Sequence, residues 1–93
     1  MIFNIISTNN KETLSSCIQQ TNKADRLLFL GNATSLLTQP MVLKQIKQYK
    51  CYILKNECTA KGIVNLIPEN IEIITYSDFV EQIIKCEKNI TWN

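Results

Sequence analysis

The reactive chemistry of this 93-residue chain rests on four cysteines, at positions 17, 51, 58 and 86, because it contains no histidine. Without an imidazole, neither a Ser–His nor a Cys–His pair can form. A cysteine acting alone works as a thiolate, which needs exposure and a lowered pKa of the kind a helix N-terminus supplies. Cys58 meets the second condition best. It follows the apolar run Cys51-Tyr52-Ile53-Leu54 and falls in the first turns of a short helix. The competing reading packs it inward, opposite Ile53 and Ile63, as free cysteine usually packs. Cys17 lies on the apolar stripe of a helix, where burial is again expected. Cys51 opens a strand and Cys86 ends a helix beside Lys85; neither spacing by itself implies chemistry.

Other chemistries are poorly served. No CxxC pair is present, whereas compact zinc sites bring their ligands in close pairs, so no metal site is expected. Two glycines in the whole chain exclude both a dinucleotide fingerprint and a P-loop, so no cofactor is expected. Glu57 and Asp78 stand near strand ends, where they read as capping groups rather than general acids. A net charge of +2 is too small to announce nucleic acid or an anionic membrane. Lys44, Lys47, Lys50 and Lys55 make the densest basic patch, read as a solvated helix face.

The elements that position these residues follow from periodicity. Ile2–Ile6 is an apolar run ended by Ser7-Thr8-Asn9-Asn10 and predicts a buried first strand. Leu14, Cys17, Ile18 and Thr21 recur at helical spacing within Lys11–Thr21. Asp25–Leu30 predicts a second strand, buried on both faces and stopped by Gly31-Asn32. Asn32–Leu37 reads as a helical turn, and Pro40 opens a helix carrying Met41, Val42, Leu43, Ile46 and Tyr49. Cys51–Leu54 is the third strand, and Asn56–Lys61 a short helix closed by Gly62. Ile71–Ile74 is the fourth strand. It turns directly into a helix that Thr75 and Asp78 cap, with Phe79, Val80, Ile83 and Ile84 on its apolar face.

Strands alternating with helices predict an α/β fold, a small doubly wound and mostly parallel four-stranded sheet with helices on both faces. A flavodoxin-like layout is the simplest topology. The length is that of one domain, residues 1–93. A chain of this size buries about 60–70% of its unfolded surface. No signal peptide precedes Ile2 and no apolar run reaches a membrane span, so a cytosolic protein with reduced cysteines is expected.

The segment Ile53-Leu54-Lys55-Asn56-Glu57-Cys58-Thr59-Ala60-Lys61-Gly62-Ile63 resembles the stretch after the third strand in the TusB/DsrH family. Ile73-Ile74-Thr75-Tyr76-Ser77-Asp78-Phe79-Val80 resembles that family's tyrosine-hydroxyl-aspartate-phenylalanine-valine helix start. Leu27–Ala33 matches its second strand more loosely, and the tail ending in Trp92 fits its tryptophan terminus. The resemblance implies the DsrE/DsrF/DsrH-like fold and a cytoplasmic sulfur-relay subunit. Such a subunit joins TusC-like and TusD-like chains in a heterohexamer with two copies of each. The relay takes persulfide sulfur from a TusA-like donor and passes it to a TusE-like acceptor. It ends at position 2 of the wobble uridine in tRNA, with no direct tRNA binding by this subunit.

Matching Ala60-Lys61-Gly62-Ile63 to the sulfur-carrying sister subunit puts Leu54 at its cysteine position. The resemblance thus implies a non-catalytic subunit whose catalytic cysteine sits on a partner. Two alternatives stay open: a sulfur-oxidation DsrH-like subunit carrying persulfide on Cys17 or Cys58, and a flavodoxin-like binding module. Trp92 is the interface candidate, since tryptophan is enriched at hot spots; the competing reading docks it on its own domain.

Overall fold

A computed structural model describes all 93 residues. The strands are β1 (Ile2–Ile6), β2 (Arg26–Phe29), β3 (Lys50–Leu54), β4 (Ile71–Ile74) and β5 (Lys88–Trp92). The helices are α1 (Lys11–Gln19), α2 (Pro40–Ile46), α3 (Lys55–Ala60) and α4 (Tyr76–Lys85). A 3₁₀ helix, Gly31–Thr38, precedes α2, and a 3₁₀ turn, Val64–Leu66, precedes β4. No helix is long and apolar enough to cross a membrane.

The sheet is parallel throughout, in the order β4-β3-β2-β1-β5. The parallel α/β architecture with helices on both faces is as the sequence predicts, but there are five strands rather than four. The order also places the reversal of winding at β1. Three crossovers step in one direction, from β1 to β4, and only the last returns across the sheet to β5. Right-handed connections therefore put α1, α2 and α3 on one face and α4 alone on the other.

The packing follows this division. On the first face, Leu14 and Cys17 of α1, Val42 and Ile46 of α2, and Cys58 of α3 pack on Ile6, Leu27, Phe29, Cys51, Ile53 and Ile71. On the second, Phe79 and Ile83 of α4 lean on Phe3, Ile5, Leu28, Tyr52, Leu54 and Ile74. The first cluster holds 14 buried residues and the second 6, so α4 covers a thinner core. Phe3 lies 6.0 Å from the Tyr52 ring and 5.8 Å from the Phe79 ring, which ties β1, β3 and α4 together. The central strand β2 is closed on both sides, with Leu27, Leu28 and Phe29 all at 0% exposure.

Local signals explain the element ends. The Thr75 hydroxyl accepts the Asp78 N–H at 3.2 Å while Asp78 Oδ2 accepts the Thr75 N–H, the capping box expected from the sequence. Asn10 caps α1 through the N–H groups of Glu12 and Thr13. Pro40 occupies the first turn of α2, where its missing N–H costs nothing. Gly62 ends α3 at φ +66°, a conformation that side chains with a Cβ rarely adopt.

The fifth strand is the tail that the sequence leaves without structure. Lys88, Asn89 and Thr91 are exposed, and only Ile90 and Trp92 lie partly covered. Its order comes from pairing along β1, from Ile2 opposite Lys88 to Ile6 opposite Trp92. Two polar groups lock this pairing. Asn4, 3% exposed in the middle of β1, accepts the Trp92 indole N–H at 3.1 Å and donates to the Arg26 carbonyl. One side chain thus ties β1 to both neighbours.

Replacing Trp92 by phenylalanine keeps the ring but leaves the Asn4 oxygen buried without a donor, at a cost of about 1–2 kcal/mol. Thermal unfolding checks this: the midpoint should fall by about 4–8 °C per kcal/mol. An unchanged midpoint would mean that the Asn4–Trp92 bond does not hold β5.

Candidate functional site

In an open α/β sheet the carboxyl ends of the strands are the place to look for chemistry. Here that edge is closed by hydrogen bonds. Leu54 ends β3 at 4% exposure and hands the chain directly to α3. Glu57, in the first turn of α3, does not cap its own helix; it accepts the Gly31 N–H at 2.7 Å, at the start of the 3₁₀ helix twenty-six residues earlier. Lys61, one turn on, donates to the Gly31 carbonyl at 2.5 Å and to the Thr34 hydroxyl at 2.7 Å. The i, i+4 pair Glu57 and Lys61 therefore grips both polar ends of the Gly31 residue. Gly31 itself takes φ +59°, which a side chain would strain. Beside β1, the Ser7 hydroxyl donates to the Trp92 carbonyl at 3.3 Å and pairs with Asn93 Oδ1 at 2.5 Å, filling the reversal point between β1 and β5.

The cysteines do not converge on this edge. Cys58 lies inside the first-face core at 0% exposure, with its thiol donating to the Lys55 carbonyl at 3.4 Å. That is the inward reading. Cys17 is equally buried, 3.7 Å from the Thr21 hydroxyl. Burial pushes its thiol up, and the Thr21 contact offsets this only in part. Cys51 is 1% exposed, and burial, helped by the neighbouring Cys17, pushes its thiol up to about 12. Both groups are neutral thiols at ordinary pH, the opposite of what a sulfur nucleophile needs. Cys86, half-buried at the end of α4, donates to the Ile83 carbonyl at 3.0 Å.

Trp92 sits at the end of β5 with its indole against the first-face core and its N–H on Asn4; the side chain is only partly covered. The surface that periodicity misplaced is on α4. Val80 and Ile84 were expected to face the sheet, but they are 38% and 76% exposed. With Tyr76, 64% exposed, they form an apolar stripe at i, i+4 and i+8, while Phe79 and Ile83 alone meet the core. The cause is the sheet beneath. Asn89 and Thr91 of β5 stand beside Phe3 and Ile5, so the flank that would complete the second face is polar. The alternation Lys88-Asn89-Ile90-Thr91-Trp92 was the available signal of a one-sided strand.

Three surface grooves are present, and residues 7–10, 31–34, 55–58 and 75–77 line none of them. One, of about 440 Å³, runs along the polar flank of α4 past Arg26, Glu72 and Gln82. Arg26 lines it, donating to the Tyr52 hydroxyl at 3.0 Å and to Gln82. The site thus offers no enclosed substrate pocket at the carboxyl edge. It offers a rigid corner at Leu54 and an uncovered helix stripe.

Comparison with known proteins agrees with this architecture. Residues 6–89 match the family model described as "DsrH like protein". The chain is 32% identical to Protein TusB of Buchnera aphidicola subsp. Baizongia pistaciae, over 73% of this chain and 75% of that one. The crystal structure of the ychN protein from E. coli superposes with a TM-score of 0.76 over 99% of both chains at 16% identity, a likeness of fold.

The buried thiols have a consequence for stability. An unfolded chain releases the Cys51 proton near the ordinary value of 9.0, whereas the folded chain holds it to about 12. The folded state therefore binds more protons in that window, and its stability, intact below about pH 9, falls as pH rises toward 12. Denaturant titrations at pH 8 and pH 10 should differ by about 1.4 kcal/mol from this group alone, and Cys51→Ala should remove that part of the slope. A variant whose pH slope matches the parent would rule out a buried neutral thiol at this position.

Proposed function

Because this chain belongs to the DsrH-like family of sulfur-relay proteins, we propose that it is a non-catalytic subunit of a cytoplasmic relay supplying sulfur for 2-thiolation of the wobble uridine in tRNA. The tRNA end of this reading is supported by the 32% identity to the TusB protein. The observation that carries the non-catalytic part is Leu54. It occupies the strand end where the family resemblance places the sister subunit's cysteine, and it is 4% exposed. A relay step is attack by an acceptor thiolate on the outer sulfur of a persulfide, with the donor thiolate leaving. An isobutyl side chain provides no such nucleophile. The thiols on either side of it in sequence, Cys51 and Cys58, lie at 1% and 0% exposure.

What this subunit contributes is surface. We assign its partners as TusC-like and TusD-like chains, two copies of each in a heterohexamer, with the persulfide carried on the TusD-like chain. A TusA-like donor and a TusE-like acceptor then dock on the assembled complex. The Tyr76-Val80-Ile84 stripe supports such a role, because a helix with no fully buried residue gains most by covering its second apolar flank. Trp92, on the edge strand β5, adds a partly covered ring to the same role.

The test is persulfide loading of the reconstituted complex from a labelled donor, followed by mass spectrometry of each subunit. Label is expected on the partner chain alone. Cys17→Ser, Cys51→Ser, Cys58→Ser and Cys86→Ser should each retain tRNA thiolation wherever the complex assembles, since serine in a buried site costs only about 1–3 kcal/mol of stability. Label on Cys17 or Cys58, with thiolation lost in an assembled variant, would overturn the proposal and favour the sulfur-carrying alternative.

A further inference from the structure

We propose that the outer surface of α2 is a docking site for an acidic, amphipathic segment of a partner protein. The basic patch seen in the sequence is divided by the fold. Lys50 and Lys55 stand at opposite ends of β3, about 17 Å apart at the usual strand rise. Lys44 and Lys47 stay together on α2 and its last turn, and α1 brings Lys11 to them. Two grooves flank α2. One, of about 400 Å³, is lined by Lys11, Ser15, Met41, Val42, Lys44 and Gln45. The other, of about 500 Å³, is lined by Leu43, Lys44, Lys47, Pro68 and Asn70. Lys44 stands on the ridge between them and lines both.

Three observations point to the occupant. The first is charge. Residues 27–56 contain four lysines and no carboxylate, and neither groove is lined by an acid. Glu12 and Glu69 are near in sequence to the walls, yet the one ion pair in the molecule joins the N-terminal amine to Glu87. Lys11, Lys44 and Lys47 are therefore exposed cations without an internal partner. The second is the apolar surface between them. Met41 is 81% exposed, the most exposed large apolar side chain, and it is flexible enough to fit an incoming apolar side chain. An apolar centre with a charged rim is how protein interfaces are built. The third observation separates protein from nucleic acid. The grooves present lysine without arginine or any aromatic ring, whereas single-stranded RNA is held by stacking on those groups. The surface is the outer side of α2, with the Cys51 thiol beneath its inner side at the Ile46 carbonyl; neither Leu54 nor any cysteine lines the grooves, so this inference does not depend on the relay reading.

The probe is a fluorescent 16-residue peptide of Glu-Glu-Leu-Leu repeats, titrated into the whole chain by anisotropy. Its Gln-Gln-Leu-Leu analogue and a 16-nucleotide single-stranded RNA serve as comparators. The acidic peptide should bind in a salt-sensitive way, about tenfold more tightly than the glutamine analogue, as one to two charge pairs would give. Lys44→Glu with Lys47→Glu should weaken it by about tenfold, and Met41→Ser by about threefold. Lys85→Glu with Lys88→Glu, at the far end of α4, should leave it unchanged. Carbodiimide coupling should join peptide carboxylates to Lys11, Lys44 or Lys47. These side chains are exposed, so the variants should fold, which circular dichroism checks. No peptide binding, equal loss in the Lys85/Lys88 variant, or tighter RNA binding that the Lys44/Lys47 variant abolishes would each overturn the proposal.

Discussion

A crossover between parallel strands is right-handed, and in this molecule that rule decides where everything else can lie. Stepping from β1 to β4 in one direction commits three helices to one face. The single step back to β5 leaves the opposite face to α4 alone. The thick core beneath α1, α2 and α3 holds three of the four cysteines. The thin core beneath α4 leaves an apolar stripe uncovered. Buried sulfur and an unfilled surface are two results of the same winding.

The same winding sets the shape of the carboxyl edge. The carboxyl edge keeps its shape because Glu57 and Lys61 hold Gly31 from both sides. Those bonds replace the open loop that a substrate site requires with a fixed corner. Rigid corners suit protein recognition, where the ordering cost on binding is reduced when the surface is already in place. The polar groups Glu57 and Lys61 at this edge are thus engaged with the backbone of Gly31.

The residues that were legible in the sequence are those whose signal is local. Leu27, Leu28 and Phe29 form a run buried on both sides, and they became the central strand. Thr75 and Asp78 sit three apart and cap the helix they announce. Gly62 ends the helix it follows. What stayed illegible depends on partners far along the chain. The tail 88–92 has the polar alternation of a strand covered on one side, and only its pairing with β1 orders it. Val80 and Ile84 have the spacing of core residues, but Asn89 and Thr91 supply nothing apolar beneath them. The Lys61 contact to Gly31 crosses thirty residues, and no local spacing encodes it.

The pairing of β1 with β5 also bears on how the chain is made. Of the five strands of the sheet, β1 is made before the others, yet one of its two neighbours is synthesised more than eighty residues later. Until then β1 presents a bare edge, with Asn4 lacking its indole donor and Phe3 lacking the cover of α4. An apolar strand with an unpaired edge is the species most prone to join another chain. Nascent copies on one message are therefore exposed to mispairing until β5 is made, and a waiting partner or chaperone that covers that edge would raise the yield of folded protein.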